Sequence, residues 1–120
     1  MSQPGHVNLE HLRKGIELFN RGEFFDAHEV LEDVWRGAPA EQKKFLQGVV
    51  QLAVAFHHYS TGNRTGMKSV MERGVKNICQ HRRDVCGIDL APLLRSLEEW
   101  REAMQRATPV PALPKIEMQF

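Results

Sequence analysis

The sequence predicts an all-α fold, a compact bundle of about five helices followed by an extended, proline-containing C-terminal tail. Three observations carry that expectation. Apolar residues recur at i, i+3, i+4 spacing through nearly the whole chain, no four-residue segment shows β-branched alternation bounded by turn signals, and clusters of Asn, Gly and Pro cut the chain into helix-sized lengths. The 120 residues, 42% of them hydrophobic, suffice for one core that buries roughly two-thirds of the unfolded surface. The expected organisation is a single bundle domain over 1–107 and an extended tail over 108–120.

The first helix starts after Asn8, a good N-cap, and carries Leu9, Leu12, Ile16 and Phe19 on one face until Asn20-Arg21-Gly22 stops it. A second helix, about 23–36, has a core stripe of Phe24, Ala27, Val30, Leu31, Val34 and Trp35, and Gly37-Ala38-Pro39 ends it. The third, about 41–60, is apolar around most of its circumference, as the central helix of a bundle would be. After the break at Thr61-Gly62-Asn63, a fourth helix sets Met67, Val70, Met71, Gly74, Val75, Ile78 and Cys79 against Lys68, Glu72, Arg73 and Lys76. His81-Arg82-Arg83 falls near its C-terminus, where cations compensate the helix dipole, so this cluster needs no ligand to explain it. Asp89 caps a fifth helix, which reaches about Ala107 and has Pro92 in its first turn. Pro109, Pro111 and Pro114 keep the tail extended, and its apolar residues either fold back on the bundle or meet a second subunit, making a homo-oligomer.

Composition excludes several functional classes. Sixteen basic against fifteen acidic residues give none of the positive excess that a nucleic-acid surface needs. The first fifteen residues hold no apolar stretch of signal-peptide length. The most apolar segment, 49–56, falls far short of the ~18 residues of a membrane span, so a soluble cytoplasmic protein without a membrane partner is expected. There is no phosphate loop, dinucleotide fingerprint or nucleophile elbow, and no Glu-x-x-His pair of the di-iron bundles. Cys79, Cys86 and the intervening His81 fall short of four zinc ligands, and a cytosolic disulfide would be unusual. Cys79 therefore reads as a structural thiol on its apolar stripe, and Cys86 is left open.

The chemistry-bearing segment is the second helix, where His28, Glu29 and Glu32 make a His-Glu-x-x-Glu motif beside Trp35. At about 100° per residue, His28, Glu32 and Trp35 fall within about 60° of one another, while Glu29 lies about 100° from His28. The zinc-protease helix has a second histidine where this chain has Glu32, so His28 and Glu32 supply two ligands of the three that a catalytic zinc usually takes. An i,i+4 polar pair at the edge of the buried face explains them equally well. On the third helix Gln47, Gln51 and His58 form a narrow polar stripe, and His57 projects from an apolar flank as a core histidine would. The testable arrangement is that Gln47, Gln51 and either His58 or His57 meet His28 and Glu32 across the interface of helices two and three. That would make a pocket for a small polar ligand, or with His28, Glu32 and His58 as ligands, a divalent-metal site of undetermined identity.

Three blocks resemble the bacterial and archaeal family called domain of unknown function 309. They are the run from Phe19 to Trp35, the run from Phe45 to Ala53, and Phe56-His57-His58 with Gly62-Asn63 and Gly66. The resemblance covers about 18–67, implies an all-helical bundle and marks His28, Glu29, Glu32, Trp35, Gln47, Gly48, Gln51 and Asn63 as hallmark positions. It implies no established activity, and whether the protein is an enzyme stays open. Trp35 and Asn63 thereby join His28, Glu32, Gln47, Gln51 and His58 as candidate ligand-binding residues.

Residues 15–27 also resemble one tetratricopeptide hairpin, echoed faintly over 53–71. Two hairpins are too few for a solenoid, which leaves a non-enzymatic interaction module as the competing reading. The two readings part on one feature. A ligand pocket needs polar groups converging on a concavity, whereas an interaction module needs an exposed apolar patch and tolerates a filled interior.

Overall fold

The Asn8 side chain accepts a hydrogen bond from the His11 amide at 3.1 Å, closing the first turn of α1, Leu9–Asn20. The computed structural model describes residues 7–81 and 85–119. The helices that follow are α2 (Phe24–Arg36), α3 (Ala40–Ser60), α4 (Arg64–Cys79) and α5 (Leu90–Arg106). Gly22 and Gly62, with φ of 83° and 85°, make the sharp turns that fold α2 back on α1 and α4 back on α3. All five expected helices are therefore present, and the fold is an all-α bundle. Among the described residues no helix is long and apolar enough to cross a membrane.

Two close helix approaches depend on glycine. A Cβ at Gly15 would lie 2.7 Å from Leu31 Cδ2, so α1 packs onto α2 only with hydrogen there. Gly48 and Gly74 face each other across α3 and α4. A Cβ at Gly48 would sit 2.9 Å from the Gly74 carbonyl, and one at Gly74 would sit 3.1 Å from the Gly48 carbonyl. Backbone cannot swing aside as a side-chain tip can, so this crossing fixes which face of α3 meets α4.

The core is built around rings. Phe56 on α3 makes edge-to-face contacts with Phe19 at 6.2 Å and Trp100 at 5.0 Å between centroids, and Phe24 lies 5.7 Å away. These side chains are at most 4% exposed, and together they tie α1, α2, α3 and α5 to one centre.

The tail is extended as its prolines require, and of the two open alternatives it takes the bundle. The Asn20 carboxamide donates to the Ile116 carbonyl at 2.9 Å and accepts from the Ile116 amide at 2.8 Å, while Lys115 Nζ donates to the Asn20 carbonyl at 2.7 Å. Trp100 Nε1 donates to the Ala112 carbonyl at 2.9 Å, and Ile116 is buried. The tail also forms a two-residue strand β2 (Glu117–Met118) antiparallel to β1 (Ile88–Asp89), which an all-helical reading omitted. Strands this short carry no alternation to detect.

Other expectations need correction. Leu9, placed on the buried face of the first helix, is 44% exposed, because the first turn of α1 extends past the core. Cys79 is exposed rather than structural, since it lies in the last turn of α4. Cys86 is half-buried, has φ of 56°, and burial pushes its thiol pKa up. Asp89 occupies the N-cap of α5 with extended backbone but makes no side-chain capping bond. Arg82 and Arg83 of the basic cluster and Phe120 at the end of the tail lie outside the described residues.

Two substitutions test this packing. Gly48→Ala gains about 1 kcal/mol of intrinsic helix preference, yet the Gly74 carbonyl cannot yield, and urea unfolding should show a net loss of roughly 1–2 kcal/mol. Asn20→Ala removes both bonds to Ile116, so exchange of the Ile116 amide should accelerate and stability should fall by about 1–3 kcal/mol.

Candidate functional site

The core stripe of α2 (Phe24, Ala27, Leu31 and Val34) is buried, which turns the opposite side of the helix outward. Phe25 stands about 140° from the centre of that stripe and is 53% exposed. His28 and Glu32 follow it one and two turns later on the same outward flank. His28 Nε2 lies 3.7 Å from Glu32 Oε2, beyond hydrogen-bond length. The closer partner of Glu32 is Arg36, whose Nη2 donates to it at 2.8 Å while Nη1 donates to Asp33 at 2.7 Å. The carboxylate read as the i,i+4 partner of His28 is thus held by a guanidinium at the surface.

Gln51 faces α4, not α2. Its carboxamide oxygen accepts from Asn77 Nδ2 at 2.8 Å, beside the Gly48–Gly74 crossing. Gln47, on the same stripe, is half-buried. His58 also turns from the second helix, and its Nδ1 lies 3.4 Å from Nδ2 of Asn63. Asn63 serves chiefly as N-cap of α4, its side-chain oxygen accepting from the Gly66 amide at 2.8 Å. The structure therefore keeps His28 and Glu32 together and does not bring Gln51 or His58 to them. Among the described residues no three His, Cys, Asp or Glu side chains gather as a metal site, so the set His28, Glu32 and His58 is not assembled.

Trp35 is half-buried, and Lys43 explains its surroundings. Lys43 Nζ lies 4.9 Å from the centre of the Trp35 ring and donates at 2.8 Å to the carbonyls of both Trp35 and Arg36. A cation over the ring and on the last carbonyls of α2 closes that helix, a structural role for a hallmark aromatic. The indole N–H is buried and has no hydrogen-bond partner among the described residues.

His57 is the α3 histidine that approaches α2. Its ring centroid is 5.5 Å from that of Phe25, which in turn is 6.3 Å from His28. Phe25, His28, Val54 and His57 enclose a notch of about 110 Å³ whose exposed wall is apolar. A cavity of this size admits one aliphatic side chain and offers a polar ligand little to bond. Phe25 is the residue that sequence reasoning passed over. Its signal was there, a large apolar side chain on the polar side of an amphipathic helix.

A larger groove, about 700 Å³, lies between the start of α4 and the end of α5, lined among others by Arg64, Lys68, Ala103 and Met104. None of the sequence-derived candidates lines it.

Comparison with known proteins places the site in context. Residues 12–70 match the model of the family described as Domain of unknown function (DUF309). The chain is 29% identical over 93 residues to the uncharacterized protein YpuF of Bacillus subtilis (strain 168), covering 75% of this chain and 53% of that protein. It is 31% identical over 91 residues to an uncharacterized protein of Aquifex aeolicus (strain VF5), covering 75% of this chain and 27% of that one. The chain thus spans about half or less of these relatives.

Proposed function

We infer that this chain, which over residues 12–70 belongs to the domain of unknown function 309 family, is a helical-hairpin interaction module that docks a partner on the exposed face of α2 and α3. One observation carries the reading. Phe25 is 53% exposed beside a small apolar notch, in the middle of the block that carries the family resemblance. Leaving a phenyl ring half in water sacrifices roughly 1 kcal/mol or more of hydrophobic stabilisation, which docking would recover. The polar residues that would favour a ligand pocket have other partners, Arg36 for Glu32, Asn77 for Gln51 and Asn63 for His58. Matching only part of longer relatives suits a module that is joined to other segments.

Recognition would then combine an aliphatic side chain in the notch with the Phe25 ring as a packing surface. His28 and His57 wall the notch and supply ring edges rather than a proton-transfer pair.

Phe25→Ser in the 120-residue chain should lower folding stability by only about 1 kcal/mol, well below the cost of removing a fully buried phenylalanine, because the ring is half-exposed. A photo-crosslinking phenylalanine analogue at position 25 should trap a discrete adduct in cells, and the same analogue at the exposed Glu102 should not. Equal labelling at both positions contradicts the reading. So does near-stoichiometric bound metal that is lost in both His28→Ala and Glu32→Ala, an outcome that would restore a metal centre.

A further inference from the structure

The groove between α4 and α5 and the Phe25 face have opposite chemistry. The groove has an apolar floor of Ala103, Met104 and Ala107, and on its rim stand Arg64 and Lys68. Glu72, also on the rim, is compensated by Arg101, whose Nε donates to it at 2.7 Å. Arg64 stacks over Tyr59 at 5.6 Å, and among the described residues neither Arg64 nor Lys68 is in an ion pair. The rim is therefore net positive. On α2 the exposed Phe25 is flanked by Asp26 and Glu29, both exposed and likewise without an ion pair among the described residues. One surface offers an aromatic knob beside two carboxylates, and the other an apolar trough edged along its α4 side by two cations.

The two surfaces point in opposite directions. Phe25 packs against His57 and Arg64 against Tyr59, residues two apart on α3 and so about 200° around that helix. A single chain cannot join its own knob to its own groove, but a second copy can.

We propose that Phe25 of one copy docks into the α4–α5 groove of a second, with Asp26 and Glu29 facing Arg64 and Lys68. The contact rests on the reading of the Phe25 face as an interaction surface and names its occupant. Because knob and groove face opposite ways, two copies cannot make both contacts with each other, so the contact is heterologous and copies add head to tail instead of closing as a two-fold dimer. Apolar burial supplies the affinity, while the rim charges select the register and make association sensitive to salt.

Sedimentation of the 120-residue chain from about 10 μM to about 1 mM reads the contact directly, since self-association follows mass action. The weight-average mass should rise with concentration and fall with added salt. Phe25→Glu should weaken association at least tenfold, as should the knob-reversed pair Asp26→Lys with Glu29→Lys and the groove-reversed pair Arg64→Glu with Lys68→Glu. Each variant should keep the wild-type circular dichroism. Mixing the knob-reversed and groove-reversed chains should restore association, because each presents to the other a complementary surface that it lacks for itself. A wild type that stays monomeric over the whole range overturns this contact, and crosslinking at position 25 to a different protein would then leave the Phe25 face intact as a docking surface. Association that survives Phe25→Glu, or a mixture that fails to associate, also overturns it.

Discussion

The direct contact of Gly48 with Gly74 is the constraint on which the arrangement of this molecule turns. With no Cβ on either side, α3 and α4 meet backbone to backbone, and α3 loses its freedom to rotate. Gly48, Gln51 and Leu52 are committed to α4. The opposite side of α3 is left to α2, and there His57 meets Phe25. Which polar residues find structural partners and which surface stays open both follow from that one orientation.

A second layer of order is carried by Trp100. Its ring packs edge-to-face on Phe56 and Tyr59, each at 5.0 Å, and its N–H anchors the tail at Ala112. The buried end of the ring thus belongs to the helical core and its polar edge to the tail, a division of labour that indole chemistry favours. The Asn20 carboxamide completes the strap by reading both backbone groups of Ile116. Residues 108–119 are in this way part of the fold, although their own sequence shows no helical period.

Periodicity made the helices legible because it is a local property, written every three or four residues. Asn8, Gly22 and Gly62 marked boundaries for the same reason, each acting within its own turn. The candidate site was legible only in part. His28 and Glu32 stand one turn apart on any helix, so their pairing could be read, whereas Gln51 chose Asn77, 26 residues away, over the neighbouring helix that the stripe suggested. The Asn20 clamp closes across 96 residues. A polar stripe on a helical wheel shows that a partner is needed, not which helix supplies it. Lys43 illustrates the same limit, since its work on Trp35 and the end of α2 depends on how the α2–α3 turn folds.

The central claim is that Gln51 belongs to the α3–α4 interface and not to a site with His28. A double-mutant cycle separates these directly. Stability is measured for Gln51→Ala, Asn77→Ala and His28→Ala, and for the two double variants that contain Gln51→Ala. The account predicts a coupling of about 0.5–1.5 kcal/mol between Gln51 and Asn77 and about zero between Gln51 and His28. Coupling of Gln51 to His28, with none to Asn77, would contradict it.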